Sequence, residues 1–179
     1  FKTKNISKSY NSSRVLENIN LEINKGEKIA FVGKNGEGKS TLAKIIVNEI
    51  EYEGMTHYGY NVKYGYYAQN QSDFLDGDKS VLQSVEDSIT DEINIKPRDI
   101  LGSFLFTKDD VDKKVSVLSG GERARVALCK LLLSPINFLI MDEPTNHLDM
   151  YSIDILKKAL LNFDGTLIII SHDRSFLKG

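Results

Sequence analysis

The stretch Gly33-Lys34-Asn35-Gly36-Glu37-Gly38-Lys39-Ser40-Thr41 decides the fold of this 179-residue chain. The apolar run Lys28–Val32 precedes it, and the helical pattern Ser40–Val47 follows it. A strand, a glycine-rich loop and a helix in this order form an arrangement in which backbone N–H groups surround phosphate oxygens. Glycines let such a loop curl, and the following helix adds the positive end of its dipole. The stretch therefore predicts a phosphate site in an α/β domain, with the whole loop in contact with a nucleotide.

Individual residues of this loop have distinct expected roles. Lys39 is expected to reach the β- and γ-phosphates, and the Ser40 hydroxyl is expected to bind Mg²⁺. Glu37 stands where a small residue would be easier to place, so its carboxylate must point away from a triphosphate that it would otherwise repel. The alternative is a glycine-rich turn that binds no ligand, and the presence of both flanking elements disfavours it.

Two carboxylates, Asp142 and Glu143, follow the apolar residues Phe138–Met141. They are predicted to lie at the carboxyl end of a buried parallel strand, the edge where open α/β sheets bind ligands. Asp142 suits a direct or outer-sphere role at Mg²⁺, which prefers hard oxygen ligands. Glu143 is placed to orient and polarise an attacking water. The alternative is a solvated strand end, which the preceding phosphate loop makes the weaker interpretation.

A second anion-binding terminus is predicted at Ser119, which can cap a helix that starts at Gly120-Gly121. The loop at Gly33–Thr41 already provides this domain with its own phosphate site. A second such terminus therefore suggests that it faces the nucleotide of another domain. The alternative is a helix that is capped and has no further role.

Three more residues are candidates for the same site. His172 follows an apolar strand and is expected to contact the γ-phosphate. Tyr10 is expected to stack on adenine, with core packing as the alternative. Gln69 ends a predicted strand, where its amide could meet Mg²⁺ or the attacking water. His147 and His57 lack such support and are interpreted as a loop residue and a surface residue.

Composition places the chain among ordinary globular domains and excludes several other classes. The sequence is 41% hydrophobic and 27% charged, and its net charge of −2 provides no basic surface for nucleic acid. The single cysteine, Cys129, excludes an internal disulfide, and its helical spacing predicts core packing. No apolar run approaches the ~20 residues that span a bilayer. We therefore expect a cytoplasmic protein without direct membrane contact.

Continuous apolar runs that alternate with helical patterns predict an α/β fold with a mostly parallel sheet covered by helices on both faces. Together with the glycine-rich loop, this pattern leads us to expect a fold of the P-loop NTPase type. An N-terminal antiparallel β subdomain and an inserted small helical subdomain at about residues 70–117 are expected within one domain, 1–179. The chain begins at Phe1, so we expect a piece of a longer protein. The predicted strands are Lys2–Ser7, Ile19–Ile23, Lys28–Val32, Val62–Ala68, Ile136–Met141 and Thr166–Ile170. The predicted helices are Ser40–Val47, Val81–Ile89, Pro97–Phe106, Gly121–Leu133, Met150–Phe163 and Arg174–Lys178.

Over nearly its whole length the chain resembles the nucleotide-binding domain of ABC ATPases. The matching motifs are Gly33–Thr41 (Walker A), Gln69 (Q-loop), Leu118–Glu122 (signature), Phe138–Glu143 (Walker B), Asn146–Asp149 (D-loop) and His172 (switch histidine). Within this family, Glu143–Asp149 resembles the ABC-F branch, which carries no transmembrane domains. The short interval of 50 residues from Gln69 to Ser119 also suits that branch. The Walker A loop resembles that of the second of two tandem ATPase domains.

The resemblance implies that ATP and Mg²⁺ are the cofactors and that a second ABC ATPase domain, arranged head-to-tail, completes the site. The isolated domain would then be a weak ATPase. ABC-F proteins act on ribosomes, in translation or in antibiotic resistance, and such contact would use parts outside this chain. Two alternatives stay open: the ATPase subunit of a membrane transporter, and a binding module that uses ATP as structural glue. Intact Lys39, Asp142, Glu143 and His172 argue against the second.

Overall fold

A computed structural model of the protein describes residues 1–89, 96–146 and 148–178. Within these ranges the strands are β1 (Lys2–Tyr10), β2 (Ser13–Glu22), β3 (Lys28–Phe31), β4 (Glu53–His57), β5 (Tyr64–Tyr67), β6 (Phe138–Asp142) and β7 (Thr166–Ile170). The α-helices are α1 (Lys39–Ile46), α2 (Val81–Glu86), α3 (Pro97–Ser103), α4 (Gly120–Leu132), α5 (Met150–Leu161) and α6 (Arg174–Leu177), and short 3₁₀ helices span Gln71–Phe74 and Val115–Val117.

The antiparallel sheet has the strand order β2-β1-β4. β1 and β2 form a hairpin in which Tyr10 pairs with Ser13 and Lys2 pairs with Glu22. Asn11 begins the two-residue turn with a φ of 52°, a conformation that asparagine tolerates better than most residues. Both strands are longer than the sequence predicted, because backbone pairing continues to the turn through polar residues that carry no alternating pattern.

The parallel sheet has the order β3-β7-β6-β5, and its three strand pairs are all parallel. Asp142 pairs with Ile170, and Phe31 also pairs with Ile170. The carboxyl ends of β3, β6 and β7 therefore lie side by side at one edge. This arrangement confirms the predicted fold class and brings the residues that follow these strands close together.

Helices cover both faces of the parallel sheet, and alternate residues of the fully buried strand β6 face opposite cores. Phe138 and Ile140 pack in a cluster that includes Ala43 of α1. Leu139 and Met141 belong to a larger cluster that contains most of the buried residues of α4 and α5. A strand buried on both faces reads as a continuous apolar run. Such a run predicted a strand at Ile136–Met141, and the structure has β6 at Phe138–Asp142.

Between residues 70 and 117 the described elements are short, and two of them end earlier than predicted. α2 stops at Glu86 and α3 at Ser103. Leu105 has a φ of 65°, a left-handed conformation that an α-helix cannot include. Phe104 and Phe106 on either side are still buried. The amphipathic pattern at 97–106 therefore indicated which residues are buried, but the helix α3 ends before the last of them.

α4 has 13 residues and packs its apolar face into the larger core. Cys129 lies on that face with a fully buried side chain, as its spacing predicted, and burial raises the pKa of its thiol. In the three ranges that the structure describes, no helix combines the length and apolarity required to cross a membrane.

Candidate functional site

A cavity of about 500 Å³ opens at the carboxyl edge of the parallel sheet. Its volume falls within the range of small-molecule sites. The lining residues come from the glycine-rich loop, from the ends of β5, β6 and β7 and from the β1–β2 hairpin: Tyr10, Val15, Asn35, Gly36, Gly38, Lys39, Ser40, Thr41, Gln69, Glu143, Asn146, Ile170 and His172. Most of the residues that the sequence singled out thus meet in one place.

The loop owes its curl to glycines with positive φ angles, 85° at Gly36 and 87° at Gly38. A Cβ on Gly38 would also lie 2.8 Å from Leu16 Cδ2 and 3.1 Å from the Val15 carbonyl oxygen. Gly38 is the N-cap of α1 and contributes no side-chain acceptor to the first turn. The first N–H groups of α1 are therefore available to an anion, where the helix dipole also favours negative charge.

The Lys39 side chain bends back over the loop. Its Nζ donates hydrogen bonds to the carbonyl oxygens of Gly33 at 2.9 Å and Lys34 at 2.7 Å. Glu37 folds away from the cavity, as the sequence predicted, and its Oε2 accepts a hydrogen bond from the Lys34 N–H at 2.9 Å. Gly33, Lys34 and Glu37 belong to the loop but are not among the residues that line the cavity.

Asp142 is the last residue of β6 and is only 3% exposed. The Tyr66 hydroxyl donates to its Oδ2 at 3.4 Å, while Oδ1 is buried without a hydrogen-bond partner among the described residues. Burial raises the pKa of the Asp142 carboxyl, and hydrogen bonds with Ser40 and Tyr66 partly oppose this rise. A buried carboxylate oxygen without a partner beside a serine hydroxyl fits Mg²⁺, a hard cation that takes oxygen ligands.

Within the described ranges, no group of three or more His, Cys, Asp or Glu side chains is arranged to hold a metal ion. A cation bound by Ser40 and Asp142 would need further oxygen ligands from phosphate or water. This requirement matches Mg²⁺, which commonly keeps water and phosphate ligands beside one or two protein groups.

Glu143 directly follows β6 and has a φ of 49°, an unusual conformation for a non-glycine residue. Its N–H donates to the Ile170 carbonyl oxygen at 2.8 Å, which ties it to the end of β7. The side chain is 11% exposed, and its Oε2 lies 2.8 Å from His172 Nδ1. Such backbone strain is often found at functional sites, where neighbouring structure enforces it.

The imidazole of His172 is 60% exposed and faces the cavity beside Glu143. The hydrogen bond to the Glu143 carboxylate, followed by the attraction of its charge, raises the pKa of His172 above its ordinary value. The backbone N–H of His172 also points to Glu143 Oε2, at 3.4 Å. The two residues therefore form a contact that links the ends of β6 and β7.

Tyr10 ends β1 at the mouth of the cavity with its side chain 45% exposed. The core-packing alternative is therefore wrong for this residue. The Lys8 ammonium lies 5.2 Å from the centre of the Tyr10 ring. Gln69 lines the cavity just beyond β5, whereas His57 is an exposed residue, as predicted. His147 lies outside the described residues.

Ser119 caps α4, as the sequence predicted, and the structure shows that the cap is a capping box. Ser119 Oγ accepts from the Glu122 N–H at 3.3 Å, and Glu122 Oε2 accepts from the Ser119 N–H at 2.7 Å. Neither Ser119 nor Gly120-Gly121 lines the cavity that holds Lys39. The structure therefore keeps this helix end apart from the chain's own phosphate loop.

Sequence reasoning missed several residues that contact the candidate site. Val15 and Asn146 line the cavity, and the Tyr66 hydroxyl reaches Asp142 from the neighbouring strand. Val15 and Tyr66 have side chains typical of any strand, so no local signal separates them from core residues. Asn146 lies three residues after Glu143, and its proximity to the carboxylate pair was the available signal.

A second contact that sequence reasoning missed joins α4 to the start of α5. Arg125 Nη1 donates to Asp149 Oδ2 at 2.9 Å and to Ser152 Oγ at 3.2 Å, and its guanidinium lies 5.4 Å from the Phe106 ring centre. Asp149 also caps α5 through the Ser152 N–H. This half-buried arginine connects α4 to the segment that follows Glu143.

The fold and the cavity together define a P-loop nucleotide-binding domain. Residues 16–146 match the protein family described as ABC transporter. "ABC transporter F family member 5" of Arabidopsis thaliana is 44% identical over 177 residues, which cover 98% of this chain and 26% of that protein. The chain therefore belongs to the ABC transporter family and is an ATP-binding domain of the ABC-F type. It spans about a quarter of that relative.

Two solved structures extend the comparison. The archaeal ribosome recycling factor aABCE1, solved in complex with the ribosomal stalk protein aP1, has a TM-score of 0.83 and 27% identity, covering 99% of this chain and 34% of that chain. The dimeric ATP-binding cassette MJ0796, in a post-hydrolysis state bound to ADP and Pi, has a TM-score of 0.77 and 23% identity, covering 98% and 89%. The second likeness concerns the fold alone.

Proposed function

We propose that this chain hydrolyses ATP and drives a cycle between closed and open pairs of ATPase domains. The observation that carries the proposal is one cavity in which Lys39, Ser40, Glu143 and His172 meet at the end of a parallel sheet. In ABC-F proteins, this cycle would act on the ribosome. Residues 70–117 are proposed to form an inserted helical subdomain of this single domain.

The glycine-rich loop binds the phosphates in this proposal. The N–H groups from Asn35 to Thr41 surround the β- and γ-phosphates, and Lys39 shifts from its carbonyl contacts to the phosphate oxygens. Ser40 and Asp142 hold Mg²⁺, with Gln69 as a further ligand. The ion would neutralise phosphate charge and orient the terminal phosphate. Tyr10 stacks on adenine at the mouth of the cavity.

Glu143 and His172 act on the attacking water. The Glu143 carboxylate accepts a hydrogen bond from the water and holds it in line with the terminal phosphate. His172 contacts the γ-phosphate and keeps Glu143 oriented through the 2.8 Å contact between Nδ1 and Oε2. The strained backbone of Glu143 is consistent with a carboxylate that neighbouring structure holds in one position.

A second ATPase domain completes the site in this proposal. Ser119, Gly120 and Gly121 present an N-terminal helix end that lies away from the cavity of their own domain. In a head-to-tail pair they would face the nucleotide of the partner. The chain by itself should therefore bind Mg·ATP but hydrolyse it poorly, because it lacks the hydrogen-bond donors that the second domain would direct at the γ-phosphate.

This expectation for the chain alone can be tested with a phosphate-release assay run beside light scattering. Slow turnover that rises with protein concentration would support completion of the site by pairing. Rapid turnover by a strictly monomeric sample would contradict it.

A role at the ribosome, in translation or antibiotic resistance, is the finer part of the proposal. The similarity to an ABC-F protein and to the ribosome recycling factor aABCE1 supports it. Contact with the ribosome would involve parts of the parent protein outside this chain, and the proposed location is the cytoplasm. The alternative is the ATPase subunit of a membrane transporter.

Glu143→Gln tests catalysis and partner together. The substitution keeps the size of the side chain but removes the carboxylate, so hydrolysis should fall by about 10²–10⁴-fold while ATP binding persists. In the parent protein, the variant should accumulate in the closed state and stay on ribosomes. Co-sedimentation with ribosomes, with and without ATP, measures this retention.

Each outcome of the co-sedimentation experiment has a defined meaning. Retention only with ATP would support the ABC-F role, and enrichment in a membrane fraction would favour the transporter alternative. Wild-type hydrolysis in the variant would remove Glu143 from catalysis. Binding of ATP without turnover in the wild-type parent would favour the structural-glue alternative.

A further inference from the structure

Glu37 makes hydrogen bonds within its own loop through both its side chain and its backbone. Its Oε2 accepts a hydrogen bond from the Lys34 N–H at 2.9 Å, and its own N–H points to the Lys34 carbonyl oxygen at 3.4 Å. The same carbonyl receives Lys39 Nζ at 2.7 Å. Glu37 therefore contacts both the N–H and the carbonyl oxygen of Lys34, and Lys39 Nζ adds a second contact to that carbonyl oxygen.

The carboxylate also fills the space beside the first glycine of the loop. A Cβ on Gly33 would clash with Glu37 Oε2, so the carboxylate can occupy this position only while residue 33 lacks a side chain. The φ of Gly33 is not in the left-handed region, so the backbone conformation does not by itself require glycine there. A side chain at residue 33 would instead displace the flexible end of Glu37 and break its hydrogen bond with the Lys34 N–H.

These contacts have a consequence for binding, because a glycine-rich loop loses much conformational freedom when it closes around phosphate. A loop that is already held in the bound shape binds more tightly, since less ordering remains to be done. The Glu37 carboxylate accepts from the Lys34 N–H, and neither residue lines the cavity.

We propose that Glu37 is a positioning residue that holds the phosphate loop in its nucleotide-binding shape before the nucleotide arrives. The inference rests on the proposed ATP site. A negative charge in a phosphate loop also repels the triphosphate, so Glu37 has two opposing effects. The structure assigns the larger effect to the loop contacts, because the carboxylate is directed at the Lys34 N–H rather than into the cavity.

The two effects predict opposite signs for Glu37→Ala. Loss of the loop contacts should weaken Mg·ATP binding by roughly two- to tenfold, the value of one net hydrogen bond. Relief of repulsion would instead tighten binding. Glu37→Gln keeps an oxygen acceptor for the Lys34 N–H and removes the charge, so it should bind within about twofold of wild type.

Calorimetry of Mg·ATP binding to the wild type, Glu37→Ala and Glu37→Gln provides the first measurement. Glu53→Ala is the matched control, because it also removes an exposed carboxylate, from β4 in the other sheet, and should leave the affinity unchanged. Thermal unfolding of each variant, monitored by circular dichroism, shows whether a change in affinity comes from a general loss of stability.

Amide hydrogen exchange provides a second measurement that needs no nucleotide. The Lys34 N–H should be protected in the wild type and in Glu37→Gln, and it should exchange faster in Glu37→Ala. A carboxylate that acted only through its charge would slow exchange in the wild type but not in Glu37→Gln, so the neutral variant separates the hydrogen bond from the charge. The exchange experiment does not depend on nucleotide. If the chain bound no ATP, the proposed function would be wrong, and the exchange rates would still decide whether Glu37 holds the loop.

Gly33→Ala provides an independent test through non-additivity. The added methyl group should displace the Glu37 carboxylate, so Gly33→Ala should weaken ATP binding in the wild type and have a smaller effect in the Glu37→Ala background. Additive losses, tighter or equal binding by Glu37→Ala, or a Lys34 N–H that exchanges freely in the wild type would each overturn the proposal.

Discussion

Replacing Arg125 with alanine removes a side chain that holds three segments together. Its Nη1 donates to Asp149 Oδ2 at 2.9 Å and to Ser152 Oγ at 3.2 Å, and its guanidinium lies 5.4 Å from the centre of the Phe106 ring. The Arg125 side chain is only 14% exposed, so these contacts are partly shielded from water. We expect Arg125→Ala to destabilise the fold.

The size of the effect follows from these contacts. Asp149 is 51% exposed, so the ion pair contributes at most about 1 kcal/mol. The hydrogen bond to Ser152 contributes about 1 kcal/mol, and the contact with the Phe106 ring about 0.5–1 kcal/mol. The free energy of unfolding should therefore fall by about 1.5–3 kcal/mol. For a domain of this length, that loss lowers the Tm by roughly 3–12 °C.

Urea unfolding followed by circular dichroism measures the change in the free energy of unfolding. Arg14→Ala is the control, because Arg14 is 51% exposed and its Nη1 lies 3.7 Å from Glu17 Oε1, so its loss should cost less than about 0.5 kcal/mol. Asp149→Asn keeps an oxygen that can cap α5 and removes the charge. A double-mutant cycle between Arg125→Ala and Asp149→Asn should give a coupling of about 0.5–1 kcal/mol.

Two results would refute this reasoning. If Arg125→Ala lowered the free energy of unfolding no more than Arg14→Ala does, the contacts of Arg125 would contribute no net stability. If the cycle gave no coupling, the link between α4 and the start of α5 would not be energetically significant, whatever the effect of the single variants.

Three further predictions concern other residues. Lys39→Ala removes a cation from the phosphates, a charge-assisted contact worth about 1.5–3 kcal/mol, so ATP affinity by calorimetry should fall roughly tenfold or more; an unchanged affinity would disprove the role of the loop. Tyr10→Ala should weaken ATP binding by about 1–3 kcal/mol and leave tripolyphosphate binding unchanged, because only the base stacks on the ring; equal losses for both ligands would argue against stacking. Cys129 is fully buried and its thiol pKa is raised, so a thiol reagent should react with it only as the protein unfolds in denaturant; rapid reaction with the native protein would contradict this burial.

Local features of the sequence determined a large part of the fold. The glycines that precede Lys39 predict a curled loop between a strand and a helix, and the structure has this order of elements. β6 was predicted because a strand buried on both faces is apolar throughout. The cap of α4 was predicted because serine is a favoured N-cap residue, and the structure adds the reciprocal hydrogen bond between the Ser119 N–H and Glu122. These features depend on neighbours along the chain, which a sequence displays directly.

Sequence patterns were less informative about the ends of the elements. β1 and β2 extend through polar residues to their turn, and α3 ends at Ser103 although burial continues to Phe106. Hydrophobic periodicity reports burial, whereas strand and helix ends depend on backbone pairing and on single residues such as Leu105 with its φ of 65°.

The tertiary structure alone decided how the site residues meet. The contact of Glu143 with His172 joins residues 29 apart in sequence, and Tyr66 reaches Asp142 across 76 residues. The sequence named Glu143, His172 and Asp142 as candidates from their places after apolar strands, but it could not specify these partners. Their distances depend on the strand order β3-β7-β6-β5 and on its register, which are set by packing between segments remote in sequence. Individual chemical groups could therefore be predicted locally, while their geometry required the folded sheet.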